Sequence, residues 1–196
     1  MKIPAPLLAG LLCALLAGCA LKPSAPARLY GLTSLVSATS ATDSGKPSLV
    51  VGPIDLPAYT RRSSLLTLHG SSEYRSSAHG RWAEPLEQNV TRVLAENLSR
   101  VLGSAKVSTL GSAPPGAEQQ VMVQFSEFVV NDQQEVRLIA YWRVLDAVNR
   151  NVLASGKWEQ VERVSGLEDA EVVSGMSRAL AGMSLELAAA LAGVQR

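Results

Sequence analysis

The sequence predicts an α/β fold of the α+β type: a mixed, mostly antiparallel sheet with two main helices packed on one face. Two long segments of the 196-residue chain carry apolar residues at intervals of three and four, the spacing of an amphipathic helix. Three consecutive segments instead alternate apolar and polar residues, as strands with one buried face do. Because both helix stripes need an apolar surface to cover them, the helices are expected to lie against the sheet.

Short strands are predicted before the first helix. Pro53 and Pro57 end the second of them, since proline interrupts the hydrogen bonding of a strand. The serine-rich stretch from Ser71 to Ser77 is interpreted as a polar loop around a very short strand. The expected strands comprise residues 28–32, 49–54, 65–68 and 73–75.

The first helix is predicted between Pro85 and Gly103. Proline is tolerated in a first helical turn, and glycine commonly ends a helix. Glu84 and Glu87 favour the positive end of the helix dipole. The apolar stripe comprises Leu86, Val90, Val93, Leu94, Leu98, Val101 and Leu102.

The rest of the chain predicts a meander and a closing helix. Ser165 and Glu168 have the spacing of a capping box, and the polar face of the helix makes it amphipathic rather than membrane-spanning. A separate short strand is predicted at residues 106–110, and the three alternating strands of the meander comprise residues 121–125, 136–144 and 152–158. The stripe of the closing helix comprises Val172, Met176, Ala179, Leu180, Met183, Leu187 and Leu191.

The N-terminal residues predict export and lipidation. The apolar run of residues 7–17 is shorter than the roughly 20 residues of a membrane-spanning helix, but it suits a signal peptide. The cleavage zone, residues 16–19, resembles the lipobox of bacterial lipoproteins, in which Cys19 is acylated and becomes the first residue. The expected organisation is a signal peptide at residues 1–18, a lipidated tether at 19–27 and one domain at 28–192.

Composition excludes several functions. The chain has 18 basic and 17 acidic residues without a basic stripe, which disfavours nucleic-acid binding. It holds two histidines, His69 and His79, and lacks the usual metal-binding, nucleotide-binding and nucleophile-elbow motifs. No catalytic residue, metal site or cofactor is therefore predicted, and the protein is expected not to be an enzyme.

Three stretches resemble the ABC-type transport auxiliary lipoproteins, which include the lipoprotein component of the paraquat-inducible system. The first runs from Val51 through Pro57 and Tyr59 to Arg62, and the second is residues 81–86. The third is the meander with the last helix. One departure is that Thr60-Arg61 stands where the family commonly shows Leu-Asp.

The resemblance implies a role beside a transporter. Such lipoproteins accompany an inner-membrane permease and a periplasmic MCE (mammalian-cell-entry) protein in systems that resemble lipid carriers. It implies a fold like the N-terminal domain of TolB, docking of the MCE component, and a homo-oligomer as an open possibility. The residues expected to contact a partner are Pro57, Tyr59, Arg61, Arg62 and Trp82.

The expected location is the periplasmic face of the outer membrane. Ala20 follows the lipidated cysteine, where an aspartate often retains such proteins at the inner membrane. An alternative function is an outer-membrane lipoprotein that regulates cell-wall or envelope assembly enzymes. For most of the partner-contact residues a structural role competes with the functional one, because Trp82 precedes a helix on which it can pack and Arg61-Arg62 can be a solvated pair.

Overall fold

The structure is a computed structural model that describes residues 26–40 and 46–194. The predicted signal peptide, Cys19 and most of the tether lie outside the described residues. The strands are β1 (Arg28–Tyr30), β2 (Leu49–Asp55), β3 (Ser64–His69), β4 (Glu73–Trp82), β5 (Val107–Thr109), β6 (Gln119–Asn131), β7 (Glu135–Asp146) and β8 (Val152–Arg163). The helices are α1 (Leu86–Leu102) and α2 (Asp169–Val194), with short 3-10 helices at Ala58–Arg61 and Leu110–Ser112.

A single sheet branches around the long strand β6. Along one edge, β6 pairs with β7, which pairs with β8; along its other edge, the first half of β6 pairs with β2 and the second half with β3. The antiparallel pairings β3–β4, β6–β7 and β7–β8 are the long ones. Parallel pairings join β1–β4, β2–β5, β2–β6 and β3–β6 over two to five residues each. The predicted mixed, mostly antiparallel sheet is confirmed.

The two helices lie on one face of the sheet and share its core. The predicted stripes of both helices are buried, except that Val101 and Leu102 at the end of α1 are partly exposed. Three hydrogen bonds align the helices: Leu32 N–H to Asn89 Oδ1, Thr33 N–H to Ser177 Oγ, and Asn97 Nδ2 to Ser184 Oγ. Asn89 of α1 and Ser177 of α2 bind the adjacent residues Leu32 and Thr33, and further along both helices Asn97 binds Ser184. The two helices therefore run in the same direction.

Helix α2 is long and apolar enough to cross a membrane, by length and composition alone, and it is the one helix of the described residues that is. Its apolar stripe packs against β6, β7 and β8 and against α1. Its other face carries polar contacts, including the Arg178 guanidinium at 2.5 Å from the Glu162 carboxylate. The fold therefore uses α2 as a core helix, which agrees with the amphipathic interpretation.

Three local predictions are wrong. Strand β2 continues through Pro53 to Asp55, so Pro53 does not end it. The stretch from Ser71 to Ser77 is not a loop, because β4 runs through ten residues from Glu73 to Trp82. Its first four residues are exposed, so the strand shows no alternation in sequence. The capping box is also absent: α2 begins at Asp169, and the Ser165 hydroxyl instead donates to the Glu171 carboxylate at 2.6 Å.

Candidate partner-binding site

A tight turn after β2 exposes two arginines. Pro57 starts the 3-10 helix Ala58–Arg61, and its carbonyl accepts hydrogen bonds from the Thr60 amide at 2.9 Å and the Thr60 hydroxyl at 2.7 Å. Thr60 is buried by this arrangement, whereas Arg61 and Arg62 are exposed. The turn thus fixes the backbone from which both guanidinium groups extend into solvent.

Trp82 closes the core beside this turn. It is the last residue of β4 and is 9% exposed. Its amide donates to the Ser63 carbonyl at 2.7 Å, and the next amide, of Ala83, donates to the Tyr30 carbonyl at 2.8 Å. The indole is therefore mainly a packing group, and its remaining surface faces the space next to Arg62.

The two arginines, Trp82 and the first turn of α1 enclose an open cleft of about 370 Å³, here called the arginine cleft. Glu84 lies in its wall, but its carboxylate already accepts from Asn89 and lies 3.1 Å from Arg92. Within the described residues, neither Arg61 nor Arg62 has a carboxylate within ion-pair distance. Glu87 also lines the cleft, so the two arginines and the partly positive N-terminus of α1 lie beside two carboxylates. The exposed guanidinium groups of Arg61 and Arg62 are therefore the part of the cleft that can receive acidic groups.

Tyr59 supports the turn from the other side. Its ring stacks on Tyr74 with centroids 4.8 Å apart, and its hydroxyl accepts a hydrogen bond from the Phe128 amide at 3.0 Å. Burial raises the pKa of Tyr59 to about 12, and the hydrogen bond from Phe128 opposes part of that shift. Tyr59 and Pro57 thus hold the turn in place and do not line the cleft.

The structure brings three of the five predicted contact residues, Arg61, Arg62 and Trp82, into one cleft. Partner binding by any of the five stays a prediction. Glu84 and Leu86 line the same cleft but were not predicted as partner contacts, although both belong to the stretch that carries the family resemblance. The Thr60-Arg61 departure places a second positive charge where the family commonly has an acid.

The two histidines lie elsewhere. His69 Nδ1 is 3.9 Å from the Asp132 carboxylate, a pairing that connects distant parts of the chain and has no signal in the sequence. His79 is exposed on β4. Across residues 26–40 and 46–194, no group of three His, Cys, Asp or Glu side chains is placed to hold a metal ion.

Comparisons with known proteins place the chain in a family. A family model described as the ABC-type transport auxiliary lipoprotein component matches residues 30–188. No curated protein matches the chain.

Solved structures give the fold. Protein XCC0632 from Xanthomonas campestris, assigned to the family DUF330, is 16% identical with a TM-score of 0.70, over 83% of this chain and 93% of that one. A further protein, described as uncharacterized, is 17% identical with a TM-score of 0.66, over 84% of this chain and 97% of that one. These likenesses support the sheet-and-helix architecture described above. By the family match over most of its length, the chain belongs to the ABC-type transport auxiliary lipoproteins.

Proposed function

We propose that the protein is an outer-membrane lipoprotein that docks the periplasmic MCE component of an intermembrane lipid-transport system and supports envelope integrity. The family description supports a role beside an ABC-type transporter. The MCE protein, the inner-membrane permease and the outer-membrane location are the finer parts of the proposal. We further propose that the protein acts by binding rather than by catalysis.

The arginine cleft is the observation that carries this proposal. Its two unpaired guanidinium groups suit carboxylates of a partner, since charge complementarity speeds and orients association. Trp82 and Leu86 supply apolar surface in the same cleft, and aromatic and arginine side chains are enriched at protein interfaces. An acidic segment of the MCE protein that also carries an apolar residue fits this combination.

The position of the cleft fits docking near a membrane. Strand β1 follows the tether directly, and Tyr30 pairs with Trp82 of the cleft. The tether between Cys19 and Arg28 spans at most about 30 Å when fully extended. A partner in the arginine cleft would therefore be held close to the bilayer that carries the acyl chains.

The test is recovery of the MCE protein from cells after mild crosslinking, with the Cys19-acylated chain as bait. Charge reversal at both arginines, Arg61→Glu with Arg62→Glu, is expected to lower recovery at least about tenfold, because attraction becomes repulsion. Both side chains are exposed, so the fold should be unaffected.

The matched control reverses two exposed arginines elsewhere in the fold, Arg143 on β7 and Arg163 at the end of β8. It should leave recovery unchanged. Equal recovery with the Arg61 and Arg62 reversal would remove the cleft from the proposal, and failure of the parent chain to recover any MCE protein would overturn the function.

Membrane placement has its own readout in the same cells. Cys19→Ser should release the protein from the membrane fraction, because it removes the acylated residue. Fractionation of the parent chain with the inner membrane would contradict the proposed outer-membrane location.

Self-association is also part of the proposal. It is supported by β8, which pairs only with β7 among the described strands and leaves a twelve-residue edge open.

A further inference from the structure

A second cleft lies between the C-terminal turns of α1 and α2, at the opposite end of the molecule from the arginine cleft. It measures about 400 Å³ and is here called the apolar cleft. The volume lies in the range of roughly 300–1,000 Å³ that small-molecule sites occupy. Its walls and floor are mainly Leu49 of β2, Val101 and Leu102 of α1, and Leu185, Ala189 and Leu191 of α2.

Part of this apolar surface faces water. Leu185 is 54% exposed, although it lies on the helix that supplies much of the core. Alanines at positions 188, 189 and 192 form the rest of the wall on α2, and their short side chains leave the space between the helices unfilled. Removing such surface from water favours the binding of an apolar chain.

One positive charge stands in the wall of the apolar cleft. Among the described residues, Lys46 is the only charged side chain that lines it. The Lys46 ammonium donates to the carbonyls of Leu102 at 2.5 Å and Gly103 at 3.0 Å. An ammonium has three donors, so one remains for a ligand.

A second ammonium is close by. Lys106 Nζ donates to the Lys46 carbonyl at 3.0 Å and is exposed. Within the described residues neither lysine lies within ion-pair distance of a carboxylate. Lys46 already offsets the partial negative charge at the end of α1, and Lys106 adds a further positive charge.

We infer that the apolar cleft binds a single-chain amphiphile with an anionic head, such as a fatty acid or a lysophospholipid. The acyl chain lies against Leu102, Leu185 and Leu191, and the carboxylate or phosphate meets Lys46 and Lys106. The shared chemistry is one apolar chain and one anionic group. A neutral amphiphile would leave both ammonium groups without a counter-charge.

This inference is independent of the docking proposal. The seventeen residues of α1, about 25 Å of helix, separate the two clefts. The binding measurement needs no partner protein, so its failure would leave docking untouched, and failure of docking would leave the binding result intact.

The experiment uses the chain from Ala20 onward, which contains every strand and helix of the single core described above. Binding of cis-parinaric acid is followed by its fluorescence, below the micelle concentration. Lysophosphatidylglycerol and uncharged 1-monooleoylglycerol are then tested as displacing ligands. Parinaric acid and lysophosphatidylglycerol are expected to bind saturably at one site per chain. Monooleoylglycerol is expected to bind at least about fivefold more weakly, because it cannot pair with the lysines.

Two substitutions locate the site. Ala189→Trp fills the cleft from an exposed position and should weaken binding at least about tenfold. Its matched control is Ala170→Trp, an exposed position at the other end of the same helix. Lys46→Gln should weaken binding of the anionic probes about fivefold, whereas Lys157→Gln, on the outer face of β8, should not.

The outcomes separate clearly. Saturable binding that Ala189→Trp and Lys46→Gln weaken supports the inference, and the relative affinities of the two anionic probes identify the head group. Absence of saturable binding of either anionic probe overturns it. Binding that is insensitive to Ala189→Trp, or as tight for monooleoylglycerol as for the anions, also overturns it.

Discussion

The arginine cleft and the apolar cleft are formed at opposite ends of the same helix, yet their chemistry differs. At the start of α1, Trp82 closes the core, and the cleft beside it is lined by two arginines and two glutamates, Arg61, Arg62, Glu84 and Glu87. At the end of α1, the neighbouring positions on α2 include three alanines, and the exposed side chain of Leu185 adds apolar surface to the cleft. The two clefts have similar volumes, about 370 and 400 Å³, so they differ in the chemistry of their linings and not in size.

The largest expected effect comes from a substitution in the core between the two clefts. Leu98 is fully buried on α1 between them. Leu98→Ala should lower the free energy of unfolding by about 2–5 kcal/mol, through lost burial and the cavity left behind. Chemical denaturation followed by circular dichroism measures this.

Exposed Leu29→Ala is the control for Leu98→Ala and should change stability little, because Leu29 is 68% exposed. If Leu98→Ala costs less than about 1 kcal/mol, well under the usual range for such a deletion, then α1 does not share the core as described.

A second substitution acts on the apolar cleft alone. Gly103 ends α1 with φ +57°, and a Cβ at this position would lie 2.7 Å from the Ser40 carbonyl oxygen. Gly103→Ala should therefore cost about 1–2 kcal/mol, and it should shift the Leu102 and Gly103 carbonyls that hold Lys46. Thermal unfolding and parinaric acid binding on the same sample measure both effects.

Gly111→Ala is the matched control for Gly103→Ala, since a Cβ there meets nothing within 4 Å. Unchanged stability of Gly103→Ala would show that the end of α1 is not held in the left-handed conformation.

The smallest effect concerns the turn that carries the two arginines of the arginine cleft. Tyr59→Phe removes the acceptor of the Phe128 amide and should cost about 1 kcal/mol at neutral pH. The pKa of Tyr59 rises from its ordinary 10.0 to about 12 in the fold, because burial disfavours the phenolate. Stability from this group is therefore complete below pH 10 and is lost as the pH rises towards 12.

Denaturation midpoints between pH 9 and pH 12 should fall more steeply for the parent than for Tyr59→Phe. Tyr141→Phe serves as the control, since Tyr141 is half exposed on the outer face of β7. Parallel curves for the parent and Tyr59→Phe would contradict the burial of this hydroxyl.

Periodicity predicted most of the fold. The stripes of α1 and α2 and the alternation in β7 are signals of one buried face, and the structure buries those faces. Strand β4 was mispredicted because its first residues are exposed, so pairing with β3 holds it in place without a pattern of burial. The start of α2 was mispredicted because Ser165 bonds a side chain three residues beyond Glu168.

Residues of the arginine cleft could be predicted from the sequence, whereas the apolar cleft could not. Arg61, Arg62 and Trp82 were selected because they stand in short stretches that resemble a family. The apolar cleft was missed, because its lining comes from residues between Lys46 and Ala192 that only packing brings together. Lys46 itself lies at the end of a Ser/Thr/Gly-rich stretch that gave no reason to single it out.

The hydrogen bond between Asn97 and Ser184 has a consequence for both ends of the molecule. Apolar helix faces can slide along each other at little cost, because one apolar contact replaces another. A buried amide that finds its partner at one position penalises every other alignment, as buried polar groups do when they fix helix registry. A slip of one turn, about 5.4 Å, would break this bond and move Leu185 and Leu191 past Leu102. The shape of the apolar cleft is thus set by a polar contact that lies outside it.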